Sequence, residues 1–280
     1  ETRTPDAQGN VAIAPQSLIV DGANNIIVTE SGHVVVALGV SDLVIVQGDD
    51  AGSFLHSQLA QDINALSVGG SAYSLLLAPT GHVVALVRVV RHVDTVYTVD
   101  VERGFGQKVI DRLQRYVLRS KVTMRVSDWV VRAYRGPGAS DAVGPVPGRA
   151  RPYWGSQDDV DVVAELSVLP SIGTRVDPGV VEAGRVDARW PSMGVDILEG
   201  DVPATTGVVS VAVSFTKGCY PGQELVERMD SRNSSAPVVL RVVAVDESVE
   251  DGTVTSTGNT LKIVRMPRGA GAGAPLAPVD

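Results

Sequence analysis

The run Lys217-Gly218-Cys219-Tyr220-Pro221-Gly222-Gln223-Glu224 holds the only cysteine in a chain of 280 residues. A thiol does nucleophilic, redox or metal chemistry as its thiolate, so its surroundings decide its use. Gly218 and Gly222 permit backbone angles that other residues avoid, Pro221 suits a helix start, and the free N–H groups of a following helix favour an anion. Lys217 adds a positive charge and Glu224 a weaker opposing one, which predicts a thiol at Cys219 that is more acidic than a free cysteine and reachable by solvent. The competing reading is a small apolar residue filling a turn, the commoner fate of a free cysteine.

The elements that must hold this loop are suggested by its flanks. Val208 to Phe215 alternates in the manner of a strand, and Glu224 to Met229 suits a short helix, so Cys219 is expected in a strand-to-helix turn. Further upstream, residues 43–126 read as βαβββαβ. The strands are Leu43–Gln47, Tyr73–Ala78, Val83–Val90, Thr95–Val101 and Val122–Val126. One helix carries Leu55, Leu59 and Ile63 behind Asp49 and Asp50 as N-caps, and a second runs from Gly106 to Arg119. That order predicts an α+β sandwich of helices on one antiparallel sheet, close to the ferredoxin-like plan. Ile26–Thr29 and His33–Leu38 around Glu30-Ser31-Gly32 signal a hairpin, Gly136 to Gly148 a flexible loop, and Val238–Val245, Thr253–Thr255 and Leu261–Val264 a last β-rich unit.

The octapeptide closely resembles the Lys-Gly-Cys-Tyr/Phe-x-Gly-Gln-Glu signature of the YgfZ family of folate-binding proteins, relatives of the aminomethyltransferase of the glycine cleavage system. Lys217, Gly218, Cys219, Tyr220, Gly222, Gln223 and Glu224 fall in register, and Arg228 follows where the family usually has arginine. Val44 to Leu55, Tyr73 to Gly81, Arg185-Val186-Asp187 and Gly194-Val195-Asp196 resemble further stretches of the family, so the likeness spans roughly residues 40–230.

This resemblance implies a ring of three units around a folate channel: a discontinuous α+β domain (residues 1–60 and 126–228) carrying the cysteine loop, a ferredoxin-like domain (61–125, its pattern beginning near residue 43) and a small C-terminal β-barrel-like domain (229–268). Residues 269–280 read as a disordered tail. The implied cofactor is tetrahydrofolate or a one-carbon derivative, with Cys219 as the functional residue and Tyr73, Asp187, Arg185, Lys217, Tyr220, Gln223, Glu224 and Arg228 as folate contacts. Tyr73 would stack on the pterin or benzoyl ring and Asp187 accept from the pterin's N–H groups. The implied function is support of iron–sulfur cluster assembly or repair and, indirectly, of tRNA modification by cluster-dependent enzymes. Implied partners are iron–sulfur enzymes or cluster-assembly proteins, and the chain is expected to be a monomer. The alternative is a folate-dependent aminomethyl transferase or demethylase; a third reading is an inert module that retains the fold. Against transfer, the aminomethyltransferase pattern Gly-Gly-Ile-x-Asp-Asp stands here as Gly81-His82-Val83-Val84-Ala85-Leu86, so the acidic pair becomes Ala85 and Leu86 unless Asp94 or Asp187 substitutes.

Composition narrows the remaining classes. A net charge of −8 argues against direct nucleic-acid binding, so Arg185, Lys217, Arg228 and Arg232 are the local cations available to a folate's glutamate. No apolar run is long enough to span a membrane, and Glu1 to Pro5 lacks the marks of a signal peptide, giving a cytoplasmic expectation that a single cysteine suits. His33, His56, His82 and His92 lack metal-ligand spacing, and no metal site is expected. Gly104-Phe105-Gly106 reads as a turn, Asp158-Asp159-x-Asp161 as an exposed loop, and Asn233-Ser234-Ser235 as a sequon without meaning in a cytoplasm.

Overall fold

The computed structural model describes residues 41–152, 154–231, 236–271 and 273–277, together with the backbone of three earlier strands. Of these three, β1 (Leu18–Val20) and β2 (Ile26–Val28) pair antiparallel, whereas β3 (Val35–Leu38) joins a different sheet. The hairpin expected between residues 26 and 38 is therefore absent: each strand finds a partner elsewhere, and the Glu30-Ser31-Gly32 turn lies outside the described residues.

The next unit is β4 (Ser41–Gln47), α1 (Ala51–Gln58), β5 (Ser71–Leu77), β6 (Val83–Val93), β7 (Val96–Glu102), α2 (Gly106–Gln114) and β8 (Thr123–Ser127). Its strands form one antiparallel sheet, as the pattern predicts, and lie in the order β5-β6-β7-β4-β8. Strand alternation assigns the two faces. Val44, Val46, Ala85, Val87, Val99 and Val101 pack with Phe54 and Leu55 of α1 and Val109, Ile110 and Leu113 of α2, while Leu43 and Val90 point the other way. Both helices are shorter than predicted. Leu59 and Ile63 remain buried although α1 ends at Gln58, because bends in the following chain return them to the core. Asp50 occupies the N-cap position of α1, yet its carboxylate accepts from the Lys121 N–H (2.7 Å), and the start of α2 is capped from β4 by Asp42, which accepts from Gly104 and Gly106 N–H (2.8 and 3.0 Å).

A second sheet, β10-β11-β9-β3-β12, is built from β9 (Val130–Arg135), α3 (Ala139–Val143), β10 (Arg149–Ala150), β11 (Val160–Ala164) and β12 (Thr174–Arg175), with β3 parallel only to β12. Val131, Ala150 and Val163 meet Leu43 and Val90 of the first sheet. Then come α4 (Pro178–Asp187), started by Asp177 accepting from Gly179 N–H and by Pro178, then α5 (Val209–Ala212) and α6 (Gln223–Ser231). The chain ends in an antiparallel sheet of β13 (Val238–Ala244), β14 (Thr253–Thr257), β15 (Leu261–Pro267) and β16 (Ala274–Pro275), in the order β14-β15-β13-β16.

Part of the segment read as a disordered tail takes part in this last sheet. Ala274–Pro275 pair with β13 and Leu276 is buried against Gly207, so one apolar side chain among glycines and alanines suffices to dock the segment. A large apolar cluster joins the first sheet, the connecting segments and the last sheet: Leu75, Leu77 and Leu86 from the first, Val186, Trp190, Val208, Ala212 and Tyr220 from the connecting segments, and Leu240, Val242 and Ile263 from the last. No helix among the described residues is long and apolar enough to cross a membrane.

Candidate functional site

The approach to the cysteine loop is not the strand that alternation predicts. Val209–Ala212 form a helical turn that buries Val208 and Ala212, four residues apart, on one face against the central cluster. Core packing on a helical period overrides the β-propensity of a valine-rich run that has no strand edge to join. The chain then extends through Ser214, whose N–H donates to Ala60 O (3.0 Å), while Gln61 Nε2 donates to Val211 O (2.9 Å).

Two anchors frame the exposed thiol of Cys219. On one side the Lys217 ammonium donates to the carbonyls of His56, Leu59 (2.7 Å) and Gln61 (3.4 Å) at and just beyond the C-terminal end of α1. Burial pushes this amine down to about 8, with Asp62 opposing. On the other side Tyr220 is buried in the central cluster, its ring 5.0 Å from Lys217 Nζ and its N–H donating to Gln223 Oε1 (3.2 Å). Burial raises the Tyr220 hydroxyl to about 12, so it stays a neutral phenol. Gln223 also donates to Glu227, and Glu224 pairs with Arg228 along the exposed face of α6.

Gly222 fixes where α6 begins. Its φ is +89°, and a Cβ there would stand 2.6 Å from Ala78 O, 2.9 Å from Gly81 Cα and 3.0 Å from Leu77 Cβ. Gly81 reciprocates with φ +88° and a virtual Cβ 2.4 Å from Leu225 Cβ. The turn that carries the signature is thus seated, glycine on glycine, on the β5–β6 hairpin. Gly218 differs, because a Cβ there would meet nothing within 4 Å.

The other predicted contacts lie apart from this loop or are engaged inside the protein. Tyr73 is buried, its hydroxyl donating to Arg151 O (2.9 Å) and Pro152 O, its ring tilted against Trp190 with centroids 4.7 Å apart. Asp187, at the end of α4, is buried: Oδ1 accepts from the N–H groups of Thr260 and Leu261 (2.9 Å each) and from Thr260 Oγ1 (3.1 Å), and Oδ2 from Asn259 N–H (2.9 Å). Arg185 is likewise buried, paired with Glu182 and with Asp196 (3.0 Å), and donating to Trp190 O and Ser256 Oγ. These three side chains serve the fold, and a folate held through them would have to displace those partners. Arg232 and the sequon lie outside the described residues.

Ala85 and Leu86 are both buried, on opposite faces of the first sheet. Neither proposed substitute reaches them. Asp94 pairs with Arg91 at the exposed β6–β7 turn, roughly 30 Å along the strand from Ala85 at 3.3 Å per residue, and Asp187 is engaged as described.

Sequence reading missed a buried four-charge cluster. Arg88 on β6 pairs with Asp100 on β7 and Asp161 on β11 (2.5 Å each), and Arg135 on β9 pairs with Asp161 (2.6 Å) while covering the Trp154 ring. Burial alone would raise the Asp161 carboxyl, but Arg135 and Arg88 outweigh it and hold it below the usual range. Asp159 accepts from Gly136 and Ser156 N–H, so of the acidic run read as an exposed loop only Asp158 is exposed, while Asp159, just before β11, and Asp161, within it, are buried. The signal was Arg88 in the middle of the valine-rich run 83–93, directly opposite Asp100 in the next strand. Among the described residues, no group of His, Cys, Asp and Glu forms a metal site. His92 instead bonds Thr98 Oγ1 (2.9 Å), and burial pushes it down to about 4.

With this geometry in place, comparison with known proteins supplies the family. The profile of the GCVT N-terminal domain matches residues 21–152, which include the first sheet and the hairpin that seats the cysteine loop. Residues 21–152 belong to the GCVT N-terminal domain family. Chains similar to this one include an uncharacterized protein of Haemophilus influenzae, 25% identical over 219 residues that cover 76% of this chain and 75% of that one. The tRNA-modifying protein YgfZ of Aliivibrio fischeri is 21% identical over 262 residues, covering 80% and 82%. A mitochondrial iron–sulfur cluster assembly factor IBA57 homolog of Neurospora crassa is 26% identical over 217 residues, covering 68% of this chain and 49% of that protein. The crystal structure of the glycine cleavage system aminomethyltransferase T from Bartonella henselae superposes with a TM-score of 0.64 at 17% identity, covering 84% of this chain and 79% of that one, a likeness of fold.

Proposed function

We propose that this GCVT-family chain binds a reduced folate and supports assembly or repair of iron–sulfur clusters in client enzymes, tRNA-modifying enzymes among them, with Cys219 as its working thiol. The observation that carries the reading is the placement of Cys219: exposed, on a short arch between Lys217 and Tyr220, above a turn locked to the hairpin by Gly81 and Gly222. A thiol that only filled space would be buried. One cysteine supplies one thiolate and does not hold a four-cysteine cluster, so any cluster or iron it meets is cargo shared with a partner's ligands. The relatives named for tRNA modification and cluster assembly support this direction.

Folate binding rests on the family. Tyr73, Arg185 and Asp187 are occupied by intramolecular partners and do not suit the contacts first expected of them, whereas Gln223, Glu224 and Arg228 remain on the exposed face beside the thiol.

The second reading, aminomethyl transfer, is favoured by the fold likeness to aminomethyltransferase T. It lacks a positioned acid or base: Ala85 and Leu86 are apolar and buried, and loss of such a group costs roughly 10²–10⁴ in rate. Calorimetric titration with tetrahydrofolate and its one-carbon forms, alongside an assay of ammonia and methylene-folate release from an aminomethylated lipoyl carrier, separates the readings. Binding without turnover supports the first; turnover at an ordinary enzymatic rate transfers the assignment to the second; absence of binding removes folate from the account.

A further inference from the structure

We propose that Lys217 is a positioning residue, whose ammonium clamps the cysteine loop to the C-terminal end of α1 and so sets where Cys219 stands, and that it is not the counter-ion of the Cys219 thiolate. The biological meaning of the clamp rests on the reading of Cys219 as the working thiol; the clamp itself rests on geometry alone.

The last carbonyls of a helix have no partner within it, and a glycine in the left-handed region often closes that end. In α1 the residue beyond the helix is Leu59, in extended conformation, and it supplies no such closure. The Lys217 ammonium does so from 158 residues away, donating to His56 O and Leu59 O and more weakly to Gln61 O. An ammonium has three N–H donors, so these carbonyls take its whole donor set and leave none for a thiolate. Charge favours the same arrangement, since the C-terminal end of a helix carries partial negative charge. The titratable groups around the ammonium are Asp62 and His56, themselves paired at 3.1 Å, and the Tyr220 ring at 5.0 Å.

The consequence for Cys219 is one of reach. Lys217 is fixed on one side and Tyr220 buried on the other, so only Gly218 and Cys219 span the gap, and the thiol is confined to a two-residue arch. Lys217 thus holds the loop mechanically, where the sequence suggests a charge that favours the thiolate.

Lys217→Met and Lys217→Arg are compared with the wild-type chain by the pH profile of Cys219 alkylation with iodoacetamide and by amide hydrogen exchange. The proposal expects Lys217→Met to leave the alkylation midpoint within a few tenths of a pH unit of wild type, while exchange in peptides covering residues 56–61 and 213–222 accelerates by about tenfold or more, with Lys217→Arg restoring part of the protection. A midpoint raised by about one unit, the signature of a lost counter-ion, overturns it whatever the exchange shows. Unchanged exchange overturns it too. If Lys217→Met does not fold, the wild-type chain carries the test: burial lowers the amine to about 8, so protection of the same peptides should fall between about pH 7 and 9 beyond intrinsic base catalysis as the amine gives up its proton, and exchange that follows intrinsic catalysis alone refutes the clamp. Neither readout involves folate or a cluster enzyme, so the clamp and the proposed function fail separately.

Discussion

Gly222 and Glu102 carry the sharpest expectations at the scale of single residues. A side chain at Gly222 meets two obstacles, a φ of +89° and carbonyl and glycine backbone closer than 3.0 Å. Gly222→Ala is therefore expected to lose about 2–4 kcal/mol in urea denaturation and to unseat the cysteine loop, while a loss below about 0.5 kcal/mol would show that the turn and the hairpin are not locked together. Glu102 accepts from Ser192 Oγ (3.0 Å), and burial pushes its carboxyl up to about 7. With the folded pKa above the unfolded one, the native state holds the extra proton between about pH 4.5 and 7, and stability from this group falls as pH rises through that window. Glu102→Gln should remove that slope and raise stability at pH 8 by about 1–3 kcal/mol, read from denaturation midpoints across pH. A slope that survives the substitution assigns the effect to another group. The exposure of Cys219 and the helix that follows it were legible locally, because the motif is contiguous. The partners of Asp187 were not legible, because the N–H groups of residues 259–261 lie some 70 residues on and nothing near Asp187 announces them.

Elements were legible where hydrophobic period and packing agree. The strands from Leu43 to Val126 and the last β-rich unit appear where alternation predicts them, since their inward residues face a continuous core. Val208–Phe215 went astray because period-two alternation and a four-residue core spacing coexist in it, and only the tertiary surroundings choose. Strand pairing was the least legible: β2 and β3 are neighbours in sequence but belong to different sheets. At this scale the joint between α4 and the β14–β15 turn is the feature to test. Asp187→Ala leaves three backbone N–H groups without their acceptor and is expected to cost about 2–4 kcal/mol. The tetrahydrofolate affinity of the folded molecules should be unchanged. Weakened binding with stability intact would return Asp187 to the ligand site.

Across the whole molecule, the two five-stranded sheets meet through Leu43, Val90, Val131 and Val163 and through the buried Arg88, Arg135, Asp100 and Asp161. Removing one member of such a cluster strands another charge in the core, so Arg88→Met is expected to destabilise by about 3–5 kcal/mol. Asp161 has its folded pKa below the unfolded value, so its stabilisation is complete above the unfolded pKa near 4 and is lost as pH falls through the folded one. Thermal unfolding of the Glu102→Gln chain from about pH 4 downward should show that loss, and a flat profile there would remove Asp161 from the joint. These sheets and the central cluster hold the hairpin, and the hairpin holds the loop that presents Cys219. The most direct test of the account is the activity of a cluster-dependent tRNA-modifying enzyme in cells that lack their own protein of this type, supplied with the wild-type chain or Cys219→Ser at equal abundance. The account predicts that the wild-type chain restores the activity and Cys219→Ser does not; equal restoration by both would contradict it.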